Sequence, residues 1–317
     1  MAQEQHEWTT LDARTLRDWP LAMLGREADK EERGRVLVVA GSRETPGAAV
    51  LAASAALRAG AGKLVVATAE SVATQLAFAV PEARVIALSE TARGGFATAS
   101  LGQLREAAQR VDAALIGPGL MDEEGSTEFV AALLPLLADA RVVLDALAMN
   151  VLKRRALSHQ RLLVTPHAGE MAHLLELSKE DVLAQREQLA ADAARRWSSV
   201  VALKGATTLI AAPSGGRWRH DGGQPGLATS GSGDVLAGLI AGMLAQGATL
   251  EQACAWGVVL HASAGARLAM RLGPLGFLAR ELLDEIPALM KKLQVRSRVR
   301  TGEPRESPAS AAAFPRA

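Results

Sequence analysis

Short apolar runs alternate with longer alanine-rich or amphipathic stretches along most of the chain. Each run is rich in valine, leucine, isoleucine or alanine, and glycine, proline or polar residues bound it. A continuous apolar run of this kind is typical of a strand buried on both faces of a sheet. The predicted strands are residues 35–40, 64–68, 84–88, 113–116, 142–144, 162–164 and 200–203. Two further runs, 208–211 and 217–220, flank a Pro-Ser-Gly-Gly turn and predict a hairpin at the sheet edge.

The stretches between these strands have the composition of helices. Pro46-Gly47 opens the first of them, and Gly60-Ala61-Gly62 ends it, which is typical helix punctuation. The predicted helices are residues 48–59, 101–108, 129–138, 180–197, 235–244, 250–270 and 277–292. Strands that alternate with helices predict an α/β fold, in which helices cover both faces of a central, mostly parallel sheet (three layers, αβα).

Length and composition limit the organisation and the possible partners. We expect a charged lead-in over residues 1–33, one domain over 34–294, and a disordered Arg-, Ser-, Pro- and Ala-rich tail over 295–317. The net charge of +1 argues against nucleic acid or an acidic membrane surface as the main partner. The single cysteine, Cys254, excludes an intramolecular disulfide and suits a reducing compartment. Because we find neither a signal peptide nor a membrane-spanning stretch, we expect a cytoplasmic protein.

Residues 226–238 form the most distinctive stretch of the chain, where a run of small residues leads through Asp234 into apolar helical sequence. Gly231 and Gly233 allow the backbone to approach a ligand closely. The amides of a helix that begins near Ser232 would point at an anion such as phosphate. Asp234 is either a residue that supports the helix start or a base next to a transferring phosphoryl group.

Small or functional residues follow the predicted strands, at the edge where open α/β sheets bind ligands. They are Gly41-Ser42, Gly117-Pro118-Gly119, Asp145, Thr165-Pro166-His167 and Lys204-Gly205. Together they predict one long cleft with a nucleotide-like ligand. Lys204 either extends to solvent or neutralises a polyphosphate. The chain has neither a GxxxxGK[ST] loop nor a GxGxxG in the first strand–helix turn, which disfavours a P-loop ATPase and a dinucleotide-binding dehydrogenase.

His167, Glu170 and His173 admit two interpretations. They could form a zinc site, although the HExxH pattern is absent. Alternatively, residues 165–170 end a strand and open a helix that faces the cleft, as the proline near the helix start favours. His173 is then a packing or surface histidine.

Five motifs, taken in order, resemble the ADP/ATP-dependent NAD(P)H-hydrate dehydratase family, a branch of the ribokinase-like superfamily. They are Val38–Ala48 with Ala56–Gly62, Ile116–Gly119, Thr165–Glu170, Lys204–Thr207 and Gly226–Asp234. The resemblance implies a ribokinase-like fold and the repair of (6S)-NADHX and (6S)-NADPHX to NADH and NADPH. In such a reaction ADP or ATP, with Mg²⁺, phosphorylates the hydroxyl of the hydrated ring, and loss of phosphate restores the ring.

The resemblance also implies roles for individual residues. Asp234 would be the catalytic base. The residues that match substrate contacts are Ala48, Gly119, His167 and Asp234. Those that match the adenine-nucleotide site are Lys204, Gly205, Ala206, Thr207 and Thr208, together with Gly231, Ser232 and Gly233. Glu170 would organise Mg²⁺ indirectly.

The chain departs from the family pattern at several positions. Residues 145–150 read Asp-Ala-Leu-Ala-Met-Asn, so the second acid of the common Asp-Ala-Asp motif is missing and we assign no metal there. Only about 33 residues precede the first strand, so we expect a separate NAD(P)HX epimerase as a functional partner. By analogy with relatives we expect a homo-oligomer, a tetramer. The alternatives are a small-molecule kinase of the same superfamily, such as a hydroxymethylpyrimidine or thiazole kinase, and a nucleotide-binding regulator without catalysis.

Overall fold

A computed structural model describes residues 7–22, 29–154 and 161–300, and the side chains of all of these except 295–300. One sheet runs through this part of the chain. Its strands are β1 (Thr9–Thr10), β2 (Arg35–Val39), β3 (Lys63–Ala69), β4 (Ala83–Leu88), β5 (Ala113–Ile116), β6 (Arg141–Leu144), β7 (Leu162–Val164), β8 (Val200–Leu203), β9 (Thr208–Ala211) and β10 (Arg217–His220). Their order across the sheet is β1-β10-β9-β8-β7-β6-β5-β2-β3-β4.

The central strands of this sheet are all parallel. Each pairing from β4 through β3, β2, β5, β6 and β7 to β8 is parallel, whereas β9 runs antiparallel to both β8 and β10. The predicted strands and the hairpin are therefore confirmed. Parallel strands place their carboxyl ends at one edge, so the polar residues that follow β2, β5, β6, β7 and β8 meet there.

Helices cover the sheet on both faces. Their bounds are α1 (Ala13–Asp18), α2 (Pro46–Arg58), α3 (Ala73–Ala79), α4 (Leu101–Ala108), α5 (Glu123–Leu133), α6 (Ala168–Leu175), α7 (Lys179–Ala184), α8 (Arg186–Trp197), α9 (Ser232–Ala245), α10 (Leu250–Leu272) and α11 (Ala279–Arg300). Alternate residues of one strand enter opposite cores: Val36 and Val38 pack on the side of α2, α9 and α10, Leu37 and Val39 on the side of α4, α5 and α8. The predicted three-layer α/β architecture is confirmed.

Small residues let α2 and α9 pack closely. A side chain at Gly238 or Gly242 of α9 would collide with the backbone of Ala52 or Ala56 on α2. This contact fixes the position of α9, whose first turn carries Asp234.

Two helix predictions need correction. The helix predicted over residues 180–197 is broken at Gln185, whose backbone leaves the helical region (φ −123°, ψ 28°), into α7 and α8. The helix predicted over 129–138 begins earlier, at Glu123, because the Asp122 side chain caps it by accepting from the Gly125 amide. It continues after Leu133 as a 3₁₀ turn.

Both chain ends differ from the expected lead-in and tail. Residues Thr9 and Thr10 extend the sheet beside β10, and Leu11 and Leu16 are buried, so part of the predicted lead-in packs into the fold. At the other end, residues 295–300 continue α11, although we expected disorder there; residues 301–317 of the predicted tail lie outside the described residues. Among the helices that the structure describes, none combines the length and apolar character needed to cross a membrane.

Candidate functional site

The glycine-rich stretch forms the start of α9 at the carboxyl edge of the sheet. Gly231 precedes the helix in the left-handed region (φ +86°), and a side chain there would also strike Leu51 of α2. A non-glycine residue would therefore be strained and crowded at this position. The amide groups of the first helical turn have no partner within the helix, so they and the helix dipole favour an anion.

Lys204, which directly follows β8, lies in a group of acidic side chains. Its Nζ is 3.0 Å from Asp145 Oδ1 and 3.7 Å from Glu170 Oε2. The Thr165 hydroxyl donates to the same Asp145 oxygen at 2.6 Å. Burial disfavours the lysine charge, but the charges of Asp145 and Glu170 outweigh burial and raise the pKa of Lys204. Lys204 is therefore a fixed positive charge, which neutralises its acidic neighbours and can attract phosphate.

Asp234 lies in the first turn of α9 and interacts with both Lys204 and Asp145. Burial, and then the negative charge of Asp145, raise its pKa to about 6, against the opposing effect of Lys204. A carboxylate with such a pKa is largely ionised at neutral pH and still accepts a proton readily. These are the properties of a general base.

His167 caps helix α6 and faces the same cleft. Its Nδ1 accepts hydrogen bonds from the amides of Gly169 and Glu170, and the Glu170 carboxylate accepts from the His167 amide in return. This capping box confirms that residues 165–170 end a strand and open a helix. Because Nδ1 accepts, the neutral ring carries its proton on Nε2 and can donate from there.

The zinc interpretation finds no support in this geometry. His173 contacts Lys153 Nζ at 3.0 Å and Glu123 Oε1 at 3.2 Å. Glu170 instead contacts Lys204 and the His167 amide. In the ranges that the structure describes, no three histidine, cysteine, aspartate or glutamate side chains are grouped as metal ligands.

Ala48 and Gly119 lie against each other at the cleft edge. Gly119 is in the left-handed region (φ +67°), and a Cβ there would be 2.7 Å from Ala48 Cβ. The Thr45 hydroxyl donates to the Gly119 carbonyl at 2.8 Å and ties the loop after β5 to the start of α2. Larger side chains at these positions would close this part of the cleft.

A cavity of about 590 Å³ extends from His167 to α9 and α10. Its walls include His167 and most of the predicted nucleotide residues, namely Lys204, Gly205, Ala206, Thr208, Ser232 and Gly233. Gly231 is absent from these walls. Thr207 also lies outside them: its hydroxyl donates to Asp221 Oδ1 at 2.7 Å, and its carbonyl accepts from Arg186 Nη2. The structure therefore brings most of the predicted nucleotide residues around one cavity, with Thr207 directed elsewhere.

Sequence reasoning missed several residues that shape this site. The His261 ring on α10 is buried, and its Nε2 lies 3.0 Å from both the carbonyl oxygen and the hydroxyl of Ser232. Burial lowers the pKa of His261 to about 4, so the ring is neutral. Since a carbonyl only accepts, Nε2 carries the proton and holds the first residue of α9. The one feature of the sequence that could have indicated this contact is that His261 stands alone among apolar residues of α10.

The contacts of Asp145 and the part played by Arg186 were also missed. Asp145 was expected at the cleft as a residue that follows a strand, but its pairing with Lys204 and its effect in raising the pKa of Asp234 were not expected. Arg186 Nη2 donates to the carbonyls of Leu203 and Thr207, the two ends of the turn that contains Lys204. No sequence motif marks either contact, because each joins segments that are distant along the chain.

Comparison with known proteins places this chain in a family. A family model described as NAD(P)H-hydrate dehydratase matches residues 36–288. The ADP-dependent (S)-NAD(P)H-hydrate dehydratase of Xanthomonas campestris is 48% identical over 287 residues, which cover 90% of this chain and 96% of that protein. The bifunctional NAD(P)H-hydrate repair enzyme Nnr of Escherichia coli is 34% identical, and the match covers 82% of this chain but only 48% of that enzyme.

A solved structure agrees with both matches. The ADP/ATP-dependent NAD(P)H-hydrate dehydratase of Bacillus subtilis, co-crystallised with ATP and Mg²⁺, superposes with a TM-score of 0.78 at 30% identity. The superposition covers 90% of this chain and 99% of that one. Fold, site and sequence thus lead to the same assignment, and the chain belongs to the NAD(P)H-hydrate dehydratase family.

Proposed function

We propose that this protein converts (6S)-NADHX and (6S)-NADPHX to NADH and NADPH, with ADP or ATP as phosphoryl donor. The observation that carries the proposal is Asp234, a base with a raised pKa in the first turn of α9, beside the Lys204–Asp145 ion pair. The membership of the chain in a dehydratase family supplies the substrate class.

The reaction would begin with transfer of the terminal phosphoryl group. The ring hydroxyl attacks that phosphorus, its proton passes to Asp234, and the shortened nucleotide leaves. The α9 amides and Lys204 then stabilise the negative charge on the phosphoryl oxygens, since this chemistry depends on position and electrostatics. In the second step the carbon–oxygen bond breaks, phosphate leaves and a ring proton is lost, which restores the double bond of NADH.

We propose separate sets of residues for the hydrated ring and for the nucleotide. We assign Ala48, Gly119, His167 and Asp234 to the hydrated ring. We assign the turn after β8, from Lys204 to Thr208, and residues Gly231, Ser232 and Gly233 to the nucleotide. Thr207 would act through its backbone, because its side chain is bonded to Asp221.

The residues present fit Mg²⁺ bound mainly through the nucleotide. Mg²⁺ usually keeps several waters and uses one or two carboxylates together with substrate phosphates. Glu170, at the cleft edge, is suited to hold one of these waters and so to position the ion indirectly. The ion would supply positive charge to the phosphate oxygens.

Other features of the sequence analysis remain proposals. We infer a cytoplasmic homotetramer that works with an NAD(P)HX epimerase. The bifunctional relatives, about half of whose length this chain spans, motivate the epimerase partner.

The deciding experiment supplies purified (6S)-NADHX with ADP or ATP and Mg²⁺, and follows reduced nicotinamide and free phosphate. We expect both products in equal amounts, and only when a nucleotide is present. Accumulation of a stable phosphorylated compound would instead indicate a small-molecule kinase. Binding of nucleotide without any product would indicate a regulator.

A further inference from the structure

A second cavity, of about 410 Å³, lies beside the nucleotide cavity and shares the His167 side chain with it. Its walls come from the first residue of α5, the 3₁₀ segment after β6, and the first turns of α6. Leu147, Met149 and Leu174 supply apolar surface, and Glu123, Asn150 and His173 supply polar groups. Apolar walls with a few convergent polar groups are typical of a small-molecule site.

The polar groups of this cavity are already held by one another. Glu123 Oε1 accepts from Asn150 Nδ2 at 3.0 Å and lies 3.2 Å from His173 Nε2. Lys153 Nζ lies 3.0 Å from the same ring nitrogen, which either accepts from that ammonium or donates to Glu123, but not both. A carboxylate can accept several hydrogen bonds, so the bond from Asn150 orients Glu123 without exhausting its capacity. The cluster therefore presents an oriented acceptor to a ligand with hydroxyl groups.

The position of this cavity suits the part of the substrate that does not react. His167, which we assign to the hydrated ring, lines this cavity together with Glu123, the first residue of α5. The larger cavity on the other side of His167 is occupied by the donor nucleotide in our proposal. A dinucleotide substrate has a second nucleoside, which needs space of its own next to His167.

We propose that the second cavity binds the adenosine half of the dinucleotide substrate, with Glu123 accepting hydrogen bonds from the ribose hydroxyls. Dinucleotide-binding folds use an acidic residue for the same contact with ribose. The inference rests on the proposed function, because the dinucleotide is its substrate. Glu123 is thus a substrate-binding residue that no sequence motif marked.

The test compares NADHX with hydrated NMNH, which carries the same hydrated ring but lacks the adenosine half. In Glu123→Gln we expect KM for NADHX to rise about tenfold, because the amide oxygen still accepts but lacks the charge that strengthens the hydrogen bond. Hydrated NMNH, measured as substrate or as competitive inhibitor, should bind Glu123→Gln and the unchanged protein equally well. A second variant, Leu147→Trp, fills the cavity. It should also raise KM for NADHX and leave the binding of hydrated NMNH unchanged.

Glu124→Gln is the matched control. Glu124 lies in the same first turn of α5, but its side chain is 78% exposed and pairs with Arg93 on the surface. We expect it to behave as the unchanged protein. Equal effects of Glu123→Gln on both compounds, or no effect on either, would overturn the inference while leaving the proposed function intact. Failure of the unchanged protein to convert NADHX with either nucleotide would refute the proposed function, and this inference with it.

Discussion

In the role of base that we propose, Asp234 would serve catalysis at the expense of stability. Burial and the nearby Asp145 charge raise its pKa from 3.8 to about 6, so the folded protein holds that proton more tightly than the unfolded chain. Its contribution to stability is therefore present below about pH 4 and is lost as the pH rises through about 6. At neutral pH the ionised carboxylate costs free energy, although Lys204 offsets part of it.

Replacing Asp234 by asparagine should separate activity from stability. We expect Asp234→Asn to lose turnover about 10²- to 10⁴-fold, because the proton acceptor is gone. At pH 7 its free energy of unfolding should rise by about 1–2 kcal/mol, because the partly compensated charge at this position is removed. Turnover assays and denaturant unfolding measure the two effects. Near-normal turnover would remove Asp234 from the role of base.

The same pKa predicts the pH dependence of the reaction. We expect kcat/KM for NADHX to rise with pH through about 6, as Asp234 loses its proton and becomes able to accept another. A pH series with saturating nucleotide measures this. Asp234→Asn is the control, and its residual rate should lack this acidic limb. If kcat/KM of that variant still rose with pH through about 6, a group other than Asp234 would be responsible for the pH dependence.

At the scale of elements, α9 serves the site only because other elements fix its first turn. Gly238 and Gly242 allow close contact with α2, and His261 of α10 holds Ser232. The two glycines are four residues apart in the sequence, so they lie on one face of the helix. The His261 contact was not readable from the sequence, because it joins residues on two helices that only the packing brings together.

Loss of the His261 contact should weaken nucleotide binding. His261→Leu removes the donor to the Ser232 carbonyl, so the first turn of α9 should lose its fixed position and ADP should bind about tenfold more weakly. His261→Gln keeps an N–H donor and should retain most of the affinity. Calorimetric titration with ADP measures both variants.

Trp256→Phe is a matched control on the same helix. It removes a buried hydrogen bond of 2.8 Å from the indole to the Trp19 carbonyl, away from the cavity. We expect some loss of stability but unchanged affinity for ADP. Equal loss of affinity in Trp256→Phe and His261→Leu would mean that His261 contributes stability alone.

At the scale of the whole molecule, the sheet has one more strand, β1, and the helical layers include a further helix, α1, that the sequence pattern did not predict. β1 and α1 pack beside β10 and α10, and Trp19 stacks on Trp218 with the ring centroids 5.6 Å apart. The lead-in escaped prediction because a two-residue strand and a six-residue helix carry too little periodicity.

A substitution in α1 tests whether this segment supports the fold. Leu16 is fully buried, so Leu16→Ala should lower the free energy of unfolding by about 2–5 kcal/mol. Leu183→Ala is the control, because that leucine is 52% exposed and its loss should cost far less. Denaturant unfolding compares the two. Similar small effects would indicate that α1 adds little to stability.

The sequence by itself determined the parallel strands, the α/β class and the meeting of polar residues at the strand ends, and it singled out the stretch around Asp234 as the candidate catalytic segment. These features depend on local periodicity, turn residues and motifs, all of which lie within short segments. Only the tertiary structure decided that Asp145 pairs with Lys204 and raises the pKa of Asp234, that His261 holds α9, and that Glu123 borders a second cavity. Each of these relations joins residues far apart in the chain, and charge and burial depend on which neighbours folding brings together.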